Sequence, residues 1–337
     1  MAYMRKKRFS VKTYVDGVLA GDRILLSKAI TLVESSLAED NALAEQVLSE
    51  VIPYTGRSIR IGITGVPGVG KSTFIESFGT YITSLGKKLA VLTVDPSSQH
   101  SKGAILGDKT RMESLSVDPL AYIRPSASGS ALGGVAQKTR ECMFLCEAAG
   151  YEVIFIETVG VGQSETVVNE MVDFFLLLML AGAGDELQGI KKGIMEMADT
   201  IVITKADGEN KKKANRAKVE YQNALHLFSP RSSGWYPKVS ICSAINNLGI
   251  REIWNIIQEH HLLSKEKGFF EEKRKNQNVA WMHHLIKEIL TSRFYQIIDI
   301  QEVISEKEVS VASGKIPAIT AARELLSIYD LIDKKGK

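Results

Sequence analysis

The spacing of apolar residues changes twice along this chain, and the changes divide it into three parts. From about residue 10 to 55 the spacing is helical. Ile24, Leu25, Ile30, Leu32 and Val33 fall on one stripe with Asp22 placed as its N-cap, and Leu43, Val47, Leu48 and Val51 form a second stripe that Pro53 ends. From Arg60 to about Leu263, short apolar runs alternate with amphipathic stretches. Ile61–Thr64, Leu89–Val94, Ala121–Ile123, Val153–Glu157, Phe174–Leu180, Thr200–Thr204 and Val239–Cys242 read as strands, with Ser72–Leu85 and Val135–Ala149 as helices between them. Such alternation predicts an α/β fold, a mainly parallel sheet with helices on both faces. Beyond Leu263, two charged clusters precede a helical pattern carried by Val279, Trp281, Met282, Leu285, Ile286, Ile289 and Leu290. A last helix is expected over Ile319–Leu331. The expected organisation is an N-terminal helical extension (1–55), a central α/β domain (56–263) and a C-terminal helical arm (264–337). An arm this thin cannot bury both of its faces alone. It either docks on its own core or pairs with a second subunit, and the reading favours a homodimer.

Composition narrows the picture mainly by exclusion. The 337 residues are 45% hydrophobic, enough for a sizeable core, and a net charge of +3 implies neither a nucleic-acid nor a membrane partner. The basic run Arg5-Lys6-Lys7-Arg8 is expected to be a solvated, frayed end, and no apolar segment follows it as a secretory signal requires. The most apolar run, from Phe174 to Ala181, is far shorter than the roughly 20 residues needed to cross a bilayer. Cys142, Cys146 and Cys242 build no disulfide framework, and no His or Cys cluster completes a metal site around the first two. Buried thiols in a reducing, cytoplasmic setting are expected.

The chemistry is concentrated at the ends of the expected strands, where open parallel sheets bind ligands. After the first strand comes Gly65-Val66-Pro67-Gly68-Val69-Gly70-Lys71-Ser72, followed by Thr73 and a helix. This is the G-x-x-x-x-G-K-[ST] spacing of a P-loop. Its glycines let successive N–H groups turn toward a polyphosphate, and the helix N-terminus adds partial positive charge. Lys71 is placed to reach the β- and γ-phosphates, and the Ser72 hydroxyl to ligate Mg²⁺.

The next strand ends in Asp95-Pro96-Ser97-Ser98. Asp95 can bind Mg²⁺ through water or hold an attacking water, although Asp-Pro-Ser is also an ordinary turn. In the loop from Gly103 to Arg111, Asp108 can join the metal shell and Lys109 or Arg111 can meet phosphate; a solvated loop fits the spacing as well. Glu157 closes a further strand, with Gly160 three residues on. An acid and a glycine so spaced suit a sensor of the γ-phosphate, with Glu157 acting on Mg²⁺ or on water.

Thr204-Lys205-Ala206-Asp207 resembles the N-K-x-D guanine motif, in which the Asp carboxylate accepts from N1–H and the exocyclic amine. Adenine lacks that donor pair. Thr204 stands where the motif has Asn, and this is expected to remove an amide that contacts the base and braces the loop. Ser243-Ala244 matches the element whose backbone N–H meets the guanine O6.

With these motifs in order, the chain resembles the MeaB/ArgK family of P-loop GTPases, methylmalonyl-CoA mutase-associated chaperones related to the metal-insertion GTPases. The match runs from the loop at Gly65 through Val94–Ser98, Ile105–Met112, Cys146–Tyr151 and Glu157–Glu165 to Ala183–Gly193. The resemblance implies a homodimeric GTPase that binds an adenosylcobalamin-dependent mutase and gates its cofactor loading or protects it. It further implies that Asp95, Asp108 and Glu157 are switch acids around Mg²⁺ and the γ-phosphate. The loop Gly184–Gly193 is implied to be a third switch, with Asp185, Gln188 and Lys191 as its relay. Two other readings stand beside it. A metal-insertion GTPase would usually show a His-rich or Cys-based site, which six scattered His and three Cys do not supply. A kinase or ATPase linked to lysine/arginine/ornithine transport finds no amino-acid site in the sequence.

Overall fold

Each of the seven apolar runs is a strand: β1 (Ile59–Gly65), β2 (Leu89–Val94), β3 (Ala121–Arg124), β4 (Val153–Thr158), β5 (Phe174–Leu180), β6 (Thr200–Thr204) and β7 (Lys238–Ile241). They form one sheet in the order β3-β2-β4-β1-β5-β6-β7, and every neighbouring pair is parallel. The structure is a computed structural model and describes residues 8–94, 112–125, 132–158, 164–182, 192–226, 231 and 233–335. Asp95, Asp108, Gly160, Asp185, Gln188 and Lys191 lie outside the described residues. Strands buried on both faces read as continuous apolar runs rather than alternating ones, so these seven are legible in the sequence.

The crossover helices make both layers. On one face, Ile61, Ile63, Val91, Phe155, Phe174 and Leu176 pack with Phe74 and Phe78 of α4 (Lys71–Ser84). Ile253, Trp254 and Ile257 of the later helix Ile250–Glu266 complete that layer, and the Phe78 ring stacks on Phe155 at 5.0 Å. At Gly62 the opposite face of β1 meets Phe175, Val168 and Val172. The helices that follow α4 in chain order are α5 (Glu113–Val117), α6 (Leu132–Ala148), α7 (Ser164–Asn169), α8 (Lys192–Met197), α9 (Asn210–Leu225) and α10 (Ile250–Glu266).

Three helices precede the sheet where the sequence predicts two stripes: α1 (Val11–Leu19), α2 (Arg23–Glu34) and α3 (Ala38–Val51), all packed on α6. Asp22 caps α2 as expected, its Oδ1 accepting from Ile24 N at 2.8 Å and Leu25 N at 3.0 Å. Arg8 is not a loose basic end: its guanidinium pairs with Glu39 at 2.8 Å and with Asp40.

The chain divides into two compact units, Met1–Arg274 and Lys275–Lys337. The first closes inside α11 (Phe269–Gln296), and the second holds the remainder of that helix with α12 (Ile298–Ala312) and α13 (Ala318–Lys335). In the second unit α12 pairs with α13 through Lys307 and Glu324, and Phe294 meets Tyr329 at 5.6 Å.

A buried ionic cluster ties the first unit together at the starts of β1 and β5. Arg60 clasps Glu147 with Nε on Oε1 (2.9 Å) and Nη2 on Oε2 (2.8 Å), and Ser58 Oγ and Gly56 N donate to the same carboxylate. Arg274 clasps Asp173 in the same two-point way at 2.8 and 2.6 Å, and its remaining donors reach Gly56 O and Ser58 O. Burial alone would raise both carboxyl pKa values, but the arginine hydrogen bonds and charges outweigh it, so Glu147 and Asp173 are held below the usual range. Unpaired, either guanidinium would be a buried charge without compensation. Glu147→Gln is expected to cost about 3 kcal/mol of unfolding free energy in denaturant titrations. The two carboxyl groups, depressed in the folded state, contribute stability above their unfolded pKa of about 4 and lose it as pH falls through the folded values. The variant should therefore show a shallower acid transition than the wild type; equal stability and equal acid slopes would show the cluster to be inert.

Candidate nucleotide-binding site

The P-loop spans the gap between β1 and α4. Gly68 (φ 78°) and Gly70 (φ 94°) both take left-handed backbone, which an L side chain adopts only with strain, and Gly70 is the residue from which α4 starts. No atom lies within 4 Å of where a Cβ would project from Gly68, which is exposed and faces open space. Val69 anchors the loop in the core, fully buried, while Val66, Ser72 and Lys71 are half-buried and Pro67 and Thr73 are exposed.

Three carbonyls of the loop are each held by a side-chain donor. Lys71 Nζ donates to Gly65 O at 2.8 Å, Lys205 Nζ to Gly68 O at 2.9 Å, and Thr204 Oγ1 to Val69 O at 2.8 Å. A carbonyl turned out and satisfied leaves its loop free to present N–H groups to an anion. The expectation that Thr204 gives up bracing of the loop is thus corrected. Its hydroxyl, buried at the end of β6, makes that bond to Val69 and also lies 3.2 Å from Met179 O. The sequence pattern could not show this, because the acceptor is main chain 135 residues away.

Glu157 is buried at the end of β4, in register with Ile63. The adjoining hydroxyls link the same two strand ends, Thr158 Oγ1 donating to Thr64 Oγ1 at 2.8 Å. Burial lowers the Lys71 pKa, and the negative charges of Glu157 and Glu165 oppose that shift. Glu165, itself buried in the first turn of α7, was not singled out by spacing, because an acid in a helix's first turn reads as an ordinary dipole partner. Among the described residues no three His, Cys, Asp or Glu gather as a metal-holding group. Ser72 and Glu157 are the described members of the expected Mg²⁺ set.

At the far end of the row, Ala206 N donates to Cys242 O (2.9 Å) and Cys242 N to Ile203 O (2.8 Å), which brings the ends of β6 and β7 together. Asp207 and Ser243 meet there, with Ser243 Oγ donating to Asp207 Oδ2 at 2.6 Å. That bond fixes the carboxylate's orientation and leaves further lone pairs on both oxygens. Ala244 follows in the same turn. Burial pushes all three thiols up in pKa, Cys242 to about 12, which fits inert core residues. The sequence also gave no sign of Asn210, whose side chain holds the Lys205 carbonyl at 2.7 Å.

A parallel sheet with a glycine-rich loop after β1, a lysine folded over that loop and a Thr-Lys-x-Asp turn fastened to it define a P-loop nucleoside triphosphatase. The family model "Methylmalonyl Co-A mutase-associated GTPase MeaB" matches residues 26–298. A putative GTPase of Caulobacter vibrioides is 50% identical over 314 residues, 93% of this chain and 96% of its own length. The GTPase ArgK of Escherichia coli is 44% identical over 305 residues, 90% of this chain and 92% of its own. A crystal structure of a LAO/AO transport system kinase superposes with a TM-score of 0.77 at 36% identity, covering 97% of this chain and 99% of that one. The chain belongs to the MeaB/ArgK family of P-loop GTPases.

Thr204→Val keeps the shape and removes the hydroxyl, leaving Val69 O buried without its donor. Such a loss costs about 1–3 kcal/mol. GDP affinity measured by calorimetry is expected to fall about tenfold or more; an unchanged affinity would mean that the brace does not order the loop.

Proposed function

We propose that this GTPase hydrolyses GTP to GDP and phosphate with Mg²⁺, works as a cytoplasmic homodimer, and serves as a chaperone of an adenosylcobalamin-dependent methylmalonyl-CoA mutase. The observation that carries the guanine reading is the docking of Thr204 and Lys205 onto the P-loop with Asp207 set beside Ser243. In this arrangement Lys71, already over the loop, neutralises the β- and γ-phosphate oxygens, and the N–H groups of Gly68 and of Gly70 to Thr73 bind the remainder. Asp207 accepts from the two guanine donors, and a nucleotide without them leaves the lone pairs that Ser243 does not use unfilled. Bound Mg²⁺ supplies charge stabilisation of the transferring phosphoryl group, and the donor set fits it: a hydroxyl at Ser72 and a buried carboxylate at Glu157 are oxygen ligands of the kind it takes. Asp95 and Asp108 complete that set in the proposal, and Glu157, Asp95 or Asp108 orients the attacking water. Gly160 reads the γ-phosphate, and Asp185, Gln188 and Lys191 relay its loss to the partner.

The mutase partnership rests on the family's description. Support for the dimer comes from the second unit. Val279, Met282, Ile286, Ile289 and Leu290 of α11 are all about half exposed and fall at the 3–4 spacing of a helix-pairing seam. Three unpaired cysteines suit a reducing compartment.

The test is a product assay on the purified chain, sized by light scattering, with Mg²⁺ and γ-labelled nucleotide. Two chains per particle are expected, with label released from GTP as free phosphate and not from ATP. Lys71→Ala should lose roughly 100-fold or more in rate, and added mutase should change the wild-type rate. Monomers, equal use of ATP, or label carried to an amino acid or protein as in a kinase would each overturn the corresponding part.

A further inference from the structure

Among the described residues two non-glycine positions have left-handed backbone, Lys205 and Asn247, both at φ 54°. One lies in the Thr204–Asp207 turn and the other in the turn after Ser243 and Ala244, so both strained residues fall in the two loops assigned to the base. Backbone strain of this kind persists only where neighbours over-determine it, and it gathers at ligand clamps. Asn tolerates the conformation, and Asn247 is held to the P-loop helix by Ser77 Oγ at 2.6 Å. Lys does not, and needs a stronger restraint.

That restraint is Asn210, the first residue of α9. Its Nδ2 donates to Lys205 O at 2.7 Å, and its own N–H donates to Asp207 O at 3.0 Å, so one residue grips the turn on both sides of Ala206. The side chains that leave this turn are the ones the site uses. Lys205 Nζ reaches Gly68 O, Thr204 Oγ1 reaches Val69 O, and Asp207 meets Ser243. If Lys205 relaxed to ordinary backbone, the direction of its side chain and the placing of Asp207 would change together.

We propose that Asn210 is a positioning residue for guanine recognition: by holding the Lys205 carbonyl it keeps the turn left-handed, with Lys205 on the P-loop and Asp207 aimed at the base. The proposal rests on the GTP reading above and deepens it.

Asn210→Asp separates this role from mere folding. It keeps size and shape, and it adds the only acid to the first turn of a helix that has none there and begins Asn-Lys-Lys-Lys, so the helix itself is favoured. What it removes is the donor to Lys205 O. Calorimetric titration with Mg·GDP and with Mg·ADP, beside thermal unfolding without nucleotide, reads the two effects apart. For Asn210→Asp we expect GDP affinity to fall about tenfold, weak ADP binding to fall by less because it feels the change only through the P-loop, and the melting temperature to hold or rise. Asn210→Ala, which lacks the added charge, should weaken GDP similarly. GDP affinity within twofold of wild type in both variants would overturn the proposal. So would a parallel loss of GDP affinity, ADP affinity and melting temperature, which marks a purely structural role. If the wild type itself binds ADP as tightly as GDP, the guanine reading fails and the proposal falls with it, an outcome distinct from the other two.

Discussion

A loop that is to bind a polyphosphate through its amides must first dispose of its carbonyls, and the site depends on how this chain meets that constraint. Gly65 O, Gly68 O and Val69 O each receive a donor, from Lys71, Lys205 and Thr204 respectively. Two of those donors arrive from the end of β6, a strand two places away from β1 in the sheet. The P-loop and the Thr204–Asp207 turn are therefore one hydrogen-bonded object. A change in the Thr204–Asp207 turn reaches the P-loop through two bonds, without any intervening packed layer.

The sheet supplies the precision for this. Parallel pairing of β1 with β4 and β5, and of β6 with β5 and β7, fixes five strand ends in a row. Side-chain links then join neighbouring ends: Thr158 to Thr64, Thr204 to Met179 and Val69, Ser243 to Asp207. At the opposite ends of β1 and β5 the Arg60–Glu147 and Arg274–Asp173 clasps perform the corresponding task. Buried ion pairs of this kind contribute little net stability against an apolar replacement, and their value lies in specifying one arrangement. Here they fix the start of β1 relative to α6 and to the first turns of α11.

Much of the fold was legible in the sequence because buried parallel strands carry an unambiguous apolar signal, and all seven were found within one or two residues of their ends. Several helices were not, α1 and α12 among them. α1 is short and contains Gly17, and α12 mixes Val, Ser and Glu so evenly that no stripe stands out. Of the residues that spacing singles out, the structure brings Lys71 over the P-loop and Asp207 against Ser243. Thr204 was misjudged because its worth depends on a main-chain acceptor remote in sequence. Asn210 was invisible because its partner is a backbone angle rather than a residue type. Arg60 hid for another reason: within a strand, a charged residue reads as a solvated position, and only the burial of Glu147 beside it shows otherwise.

The central claim is that the amides of residues 65–73 wrap a polyphosphate while the 204–207 and 243–244 turns hold the guanine, as one linked site. Amide hydrogen exchange with and without Mg²⁺ and a non-hydrolysable GTP analogue tests it most directly. Protection should rise together in all three segments with the guanine analogue, and in none of them with the corresponding adenine compound. Protection confined to residues 65–73, or the same response to both nucleotides, would contradict the account.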